Sequence, residues 1–409
     1  MPDRPRETDP DTASVGEGHV ASEHLGSLKT PLYDTSTFVF DTAAAGRRYF
    51  EVVYGGATPE PGEDIGFSYS RLDSPNLRVA EARLARWEET EDALVFNAGM
   101  AAIATVFLTL LRPGDLVIHS NPAYGGTLTL LRGLLSDLGV VARAYGPGHT
   151  MEELGELVGD GRIRMVYVET PANPTNDIYD IEMLSDLARS HGAVTVVDNT
   201  FLSPVWQKPA RHGADLVVHS ATKYLGGHSD LTAGVVCGVS DLIERIRHTR
   251  YEMGTTAQPS TAWLLTRSLE TLRVRVERQT ASATSLAAFL ADHPKIDKVS
   301  HLSLITPDDP RHDVYKRQCL GPGAMISFVV VHGVEGAYRF LDAMRVVRLA
   351  VSLGGTESLA SHPWSMSHAL VPPEEKEAIG VTPGLVRFSV GIESADDLIA
   401  DVGQALDAV

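Results

Sequence analysis

The 409-residue sequence is poor in cysteine, with only Cys237 and Cys319, and poor in basic charge, with 35 Lys and Arg against 53 Asp and Glu. Two cysteines without metal-ligand spacing argue against a disulfide framework and against a cysteine-built zinc site. A formal net charge of −18 argues against nucleic acid or an anionic membrane as the main partner, because both are held by basic surfaces. No uninterrupted apolar run approaches the roughly 20 residues of a membrane span. The opening MPDRPRETDPDTASVGEG lacks the basic and apolar parts of a signal peptide. It is expected to form a disordered leader on a cytoplasmic protein. What remains is 43% apolar and 22% charged, an ordinary globular composition, and long enough for two or three domains with a large core.

The stretch around which the chain is organised is DLVVHSATKYLGGHSD (215–230). Leu216, Val217 and Val218 read as a short buried strand, and the small polar Ser220, Ala221 and Thr222 end it. Lys223 therefore falls just past a strand's carboxyl end, in the crevice where open α/β sheets bind ligands. Two hydroxyls beside it suit phosphate oxygens. Taken alone, the stretch reads more readily as a surface lysine before a Gly226-Gly227 turn, and its neighbours decide. Some 25 residues upstream, AVTVVDNTF ends a second apolar run on Asp198. A carboxylate closing a buried strand needs a partner, and a protonated pyridine nitrogen is one. A lysine for an aldehyde, an acid for a ring nitrogen and an anion cradle are what a pyridoxal phosphate (PLP) enzyme requires.

At this point the chain resembles the Cys/Met-metabolism (transsulfuration) enzymes of PLP fold type I. That family includes cystathionine γ-synthase, cystathionine γ-lyase, methionine γ-lyase and O-acetylhomoserine sulfhydrylase. The resemblance rests on YSRLDSPN (69–76), NAGMAAI (97–103), AYGGT (123–127), ETPANP (169–174), VVDNTF (196–201), HSATKYLGGH (219–228), VSLGGTESL (351–359) and LVRFSVGIE (385–393). It runs from about Leu28 to the C-terminus. It implies PLP held as an imine on Lys223, with Asp198 at the pyridine nitrogen and Tyr124 stacked on the ring. Tyr124 also serves as an acid toward the departing γ-group. The phosphate cradle is expected from the Gly99 and Met100 amides at a helix N-terminus, completed by Ser220 and Thr222. Asn173 matches the asparagine near the cofactor's 3-oxygen and the substrate carboxylate. Arg387, a charge inside an apolar run, is expected to pair with that carboxylate, helped by Ser352, with Val351 beside it. Tyr69 and Arg71 are implied to reach the phosphate of a neighbouring subunit's cofactor, although a solvated loop pair would look the same. The family commonly has Asn-Pro-Thr where this chain has Ser74-Pro75-Asn76.

The organisation follows the punctuation of the chain. Residues 1–70 are expected to be a leader and an irregular arm, broken by Pro31, Gly55, Gly56, Pro59, Pro61 and Gly62; such an arm implies oligomerisation. Residues 71–258 alternate strand and helix, which predicts a mostly parallel sheet flanked by helices. Residues 259–409, opening on one long helical region to about Asp292, are expected to form a smaller C-terminal α/β domain. The histidines of SHPWSMSH, His362 and His368, lack a third ligand and are expected to be structural.

The expected activity is γ-elimination from a sulfur amino acid, foremost L-methionine to 2-oxobutyrate, methanethiol and ammonia. Cystathionine γ-lyase activity, or γ-replacement by a cystathionine γ-synthase or O-acylhomoserine sulfhydrylase, is the alternative. Val351 and SLASHPWSMSH resemble methionine γ-lyases. Gly126, where many of those have cysteine, matches the cystathionine enzymes. More remote alternatives are an aminotransferase and a non-catalytic PLP-binding module; the second is weakened because Lys223, Tyr124 and Arg387 are all present. The expected partners are a small-molecule amino acid and further copies of the chain, in a homotetramer of dimers with shared active sites.

Overall fold

The computed structural model describes residues 8–159, 161–369 and 371–409. Seven strands form the larger sheet: β1 (Asp92–Phe96), β2 (Leu116–Ser120), β3 (Val141–Tyr145), β4 (Ile163–Glu169), β5 (Val194–Asp198), β6 (Leu216–Ser220) and β7 (Gly234–Gly238). Their order is β1-β7-β6-β5-β4-β2-β3. Only β7 runs against its neighbours; the pairs from β6 to β3 are all parallel. The sequences explain the placement. The central strands LVVHS, VTVVD and IRMVYVE are almost continuously apolar, as strands covered on both faces must be, whereas the edge strand VARAY is largely exposed.

Helices cover both faces. The helix Pro75–Glu88 starts on Ser74, whose hydroxyl accepts from the Leu77 amide at 3.3 Å, with Pro75 in its first turn; both are favoured start signals. Its Leu77 and Leu84 pack with Val95, Val217 and Val235. On the other face, Val106 and Phe107 of the helix Gly99–Leu110 meet Val218 and Val236. A second sheet holds β8 (Ile296–Ser300), β9 (Met325–Val330), β10 (Arg348–Leu349), β11 (Leu359–Ser361) and β12 (Leu385–Ser389), in the order β10-β11-β12-β9-β8. Phe328 and Phe388 of that sheet belong to the same core as Val217 and Val235. The two sheets are thus held against each other by apolar packing. No helix among the described residues is long and apolar enough to cross a membrane.

Three expectations are corrected. The arm is not irregular throughout, because Ala43–Val53 is a helix capped by Thr42, whose hydroxyl accepts from the Ala45 amide at 3.1 Å. Every breaker cited above lies outside that run. The leader contains a helix, Pro10–Gly16, capped by Asp9. It packs on the helix Pro75–Glu88, and Asp11 pairs with Arg273; residues 1–7 of the expected leader lie outside the described residues. The long helical region is two helices, Pro259–Leu269 and Leu272–Ala291. The first lies over the helix Pro75–Glu88, and the second carries the chain to β8 and β9.

A buried ion pair fastens the helix Ser240–Met253 to the larger sheet. Arg250, 0% exposed, donates to Glu81 Oε1 at 2.6 Å and to the Val95 carbonyl at 3.0 Å. The same Glu81 oxygen accepts from the Val95 amide at 2.9 Å. Burial raises the Glu81 carboxyl, and Arg250 opposes that shift. Removing Arg250 leaves the buried Glu81 with only the Val95 amide and the more distant Arg247, at 3.7 Å, and breaking a buried pair in this way is costly. Arg250→Met is therefore expected to destabilise the chain by about 3–5 kcal/mol, read as a lowered urea midpoint of the cofactor-free protein.

Candidate active site

Three neighbouring strands end on polar side chains at one edge of the larger sheet. Glu169 closes β4, Asp198 closes β5, directly opposite it in the parallel register, and Ser220 closes β6. Glu169 and Asp198 are buried and Ser220 is half-buried, and the buried acids need partners there. Asp198, 5% exposed, accepts at Oδ1 from the Thr200 amide (3.0 Å) and hydroxyl (2.5 Å), and at Oδ2 from the Tyr167 hydroxyl (3.1 Å). Burial raises its carboxyl, and the Thr200 bonds counter the shift. The Thr200 oxygen also accepts from the Ser220 amide at 2.9 Å, tying the ends of β5 and β6 together. Behind them His219 meets Glu88 at 2.5 Å, both fully buried.

Lys223 lies three residues past β6, and its Nζ donates to Ser352 Oγ at 2.7 Å. Burial, and then the nearby Arg387, lower its ammonium to about 8. A desolvated lysine near neutrality is the form in which an amine can act as nucleophile or base. Ser352 comes from the smaller sheet's side of the cleft, on a loop where its backbone φ is +90°, a value that costs free energy for a non-glycine residue. Arg387 comes from the middle of β12, between β9 and β11. It donates to Asn173 Oδ1 at 3.0 Å and to the Ser352 carbonyl at 2.9 Å, and burial lowers it to about 10. The second sheet therefore supplies an arginine and a serine to a cleft whose lysine and acids come from the first.

The loops after β2 and β4 complete the cleft. Tyr124, 46% exposed, donates its amide to Glu169 Oε2 at 2.6 Å, and the Asn173 amide donates to Glu169 Oε1 at 2.8 Å. Burial, followed by the neighbouring Asp198, raises the Glu169 carboxyl to about 8. A Cβ on Gly126 would fall 2.5 Å from the Tyr124 ring and 2.9 Å from Met100 Sδ, so glycine is what lets the phenol lie over this loop. A Cβ on Gly99 would fall 2.9 Å from the Ser220 Cβ. That close approach sets the first turn of the helix Gly99–Leu110 against the end of β6. Ala98 provides no side-chain cap to that helix, which leaves its leading amides open to an anion.

The structure thus brings together Lys223, Asp198, Tyr124, Asn173, Ser352, Arg387, Gly99, Met100 and Ser220. Thr222 is beside them in sequence, but its hydroxyl exchanges hydrogen bonds with the Ala233 backbone, donating at 3.2 Å and accepting at 3.0 Å. Val351 is 65% exposed. Tyr69 is 43% exposed, and Arg71 donates to the Tyr251 carbonyl at 2.5 Å. His362 is held by Ser365 and the Pro383 carbonyl, each at 2.8 Å, and no group of three or more metal-ligating side chains occurs among the described residues. Sequence reasoning missed Glu169, Thr200 and Tyr167. Glu169 carried a usable signal, since like Asp198 it closes an apolar strand.

A profile described as Cys/Met metabolism PLP-dependent enzyme matches residues 11–407. The chain belongs to this family. It is 41% identical to the L-methionine gamma-lyase of Pseudomonas putida, over 97% of each chain. The cystathionine gamma-lyase of Lactobacillus plantarum, solved with L-serine, superposes with a TM-score of 0.88 at 32% identity, covering 98% of this chain and 99% of that one. The cystathionine gamma synthase of Xanthomonas oryzae pv. oryzae, solved with aminoacrylate and cysteine, gives 0.89 at 34% identity over 98% of each. The protein is therefore a fold-type-I PLP enzyme acting on sulfur amino acids. Its own residues fit that cofactor: a buried acid suited to a cation, a desolvated lysine, and helix amides without a side-chain cap, set close against Ser220.

The direction of the Lys223 shift is open to test. In the cofactor-free protein, labelling of Lys223 by an amine-reactive ester should rise to half its maximum near pH 8, because the ester reacts only with the deprotonated amine. An exposed lysine labels along a curve centred near pH 10.4. Mass spectrometry of the 223 peptide against surface lysines reads both curves, and coincident curves would contradict the burial effect.

Proposed function

We propose that this chain is a cytoplasmic methionine γ-lyase, converting L-methionine to 2-oxobutyrate, methanethiol and ammonia. The observation that carries the reading is the 41% identity to a methionine gamma-lyase across 97% of both chains, against 32% and 34% for the two cystathionine enzymes. Val351 supports it: an apolar, 65% exposed side chain next to Ser352 suits a thioether methyl. It offers no hydrogen-bond or charge partner to the charged distal end of cystathionine.

Within this reading Asp198 would hold the pyridine nitrogen, Tyr124 would cover the ring, and the Gly99 and Met100 amides with Ser220 would receive the phosphate, joined by Thr222 once its hydroxyl turns from the Ala233 carbonyl. PLP bound on Lys223 supplies an electron sink for negative charge developing at the substrate α-carbon. Arg387, held by Asn173 and the Ser352 carbonyl, pairs with the substrate carboxylate and so fixes the α-carbon beside Lys223. The Ser352 hydroxyl holds Nζ in place, and the lysine, once free, takes the α-proton as a base. Tyr124 delivers a proton to the departing sulfur. Burial of the cleft strengthens each of these contacts by excluding water.

Gly126 favours a second reading, cystathionine γ-lyase or γ-replacement by a synthase or sulfhydrylase, because Gly-Gly-Thr is the form seen in cystathionine enzymes. One pocket residue decides only about 1–3 kcal/mol, so the overall likeness to methionine γ-lyases outweighs it. Purified protein with PLP should release methanethiol and 2-oxobutyrate from L-methionine. Efficient turnover of cystathionine or an acylated homoserine, with no methanethiol from methionine, would replace the first reading with the second.

The proposal includes shared active sites in a homotetramer of dimers, with Tyr69 and Arg71 serving the phosphate of the adjoining subunit. Support comes from the exposure of Tyr69, at 43%, and from the arginine fork's fit to phosphate. Mixing Arg71→Ala with Lys223→Ala chains should restore part of the activity, since a mixed dimer regains one intact site. Mixed oligomers verified by mass that stay inactive would rule out sharing.

A further inference from the structure

Glu169 has no role in the scheme above, yet its carboxyl joins two loops of the cleft. It is 4% exposed and closes β4. Its two carboxyl oxygens accept from two different loops, Oε2 from the Tyr124 amide at 2.6 Å and Oε1 from the Asn173 amide at 2.8 Å. Its own amide donates to Ser120 Oγ at 2.9 Å, where β2 ends and the Tyr124 loop begins. Asn173 in turn accepts from Arg387 at 3.0 Å. One carboxylate thus joins the loop that carries the phenol to the loop that carries the amide beside the arginine.

We propose that Glu169 is a positioning residue for catalysis, clamping the Tyr124 loop and the Asn173 loop to the end of β4. Each of its two oxygens accepts from a backbone amide, an arrangement that favours the ionised form and opposes the burial that raises this carboxyl to about 8. The isosteric carboxamide has one acceptor, so one of the two amides would face an NH2 group and lose its partner. Aspartate is one methylene shorter and reaches the two loops less well. A buried acid is disfavoured unless it is paired, and here two amides and the nearby Arg387 do the pairing. This inference rests on the roles proposed for Tyr124 and Asn173.

The test compares Glu169→Gln and Glu169→Asp holoenzyme with wild type. Amide hydrogen exchange around residues 122–126 and 171–175 should accelerate at least about 10-fold in Glu169→Gln, while the β5 and β6 amides keep wild-type protection. The visible absorption of lysine-bound cofactor should persist, with an altered circular dichroism because Tyr124 no longer holds the ring in one orientation. The kcat/KM should fall about 10- to 100-fold, as when reacting groups are misplaced by an ångström or less. Both parameters should contribute, KM through Asn173 and kcat through Tyr124. Glu169→Asp should recover less than a tenth of the loss. Wild-type exchange in both loops, or exchange raised uniformly across the sheet, overturns the clamp. Lys223→Ala distinguishes that failure from a failure of the functional reading: if this variant keeps the cofactor absorption, the assignment of Lys223 falls, whatever Glu169 does.

Discussion

Charge buried at the ends of parallel strands is the constraint on which the rest of this structure depends. Glu169 and Asp198 sit opposite each other where β4 and β5 end, and neither carboxyl can reach water freely. Burial raises both, and the neighbouring Asp198 pushes Glu169 up further. Their neighbours are arranged in answer: Thr200 and Tyr167 around Asp198, and two loop amides on Glu169. Replacing those donors by apolar groups would leave two acids unsatisfied in one crevice, at a cost comparable to much of a domain's net stability.

The second sheet is needed for a related reason. Arg387 occupies the middle strand of that sheet, where no solvent reaches it, and its two recorded partners are Asn173 from the first sheet's loops and the carbonyl of Ser352. A guanidinium in that position holds the loops of both halves together. It also fixes Ser352, whose hydroxyl engages Lys223. The +90° φ of Ser352 places strain at the point where the two halves meet in the cleft. The apolar core common to both sheets is what stabilises the fold against that cost.

Much of this was legible in the sequence wherever a charge interrupts an apolar run. Lys223 after LVVHS, Asp198 after VTVV and Arg387 inside LVRFSV each stand out because an apolar strand has no other reason to carry them, and the β/α alternation announced the larger sheet. Glu169 carries the same signal in IRMVYVE, but reading stopped at the Pro-rich motif that follows. Tyr167 and Thr200 could not be found, because their contacts with Asp198 depend on the register of β4 with β5 and on a turn, neither of which is written in local sequence. The leader and arm misled for the opposite reason: their composition lacks a core, yet the Asp9 and Thr42 caps with tertiary packing sufficed to order Pro10–Gly16 and Ala43–Val53. Tertiary contact routinely overrides weak local preference in this way.

The titration of the cleft also constrains what it is shaped to receive. Burial pushes its two acids upward, Glu169 to about 8, and its two bases downward, Lys223 to about 8 and Arg387 to about 10. Every shift is toward the uncharged form, because each group has lost water and gained only partial compensation. A cationic ring nitrogen at Asp198 and an anionic carboxylate at Arg387 would each reverse one of those shifts. A phosphate at uncapped helix amides would find a third complement nearby. An aromatic cofactor with one protonated nitrogen and one phosphate, together with an amino acid bearing one carboxylate, supplies this set of charges. The cleft is thus electrostatically complementary to the pair and to neither partner alone, which couples substrate recognition to the presence of the cofactor.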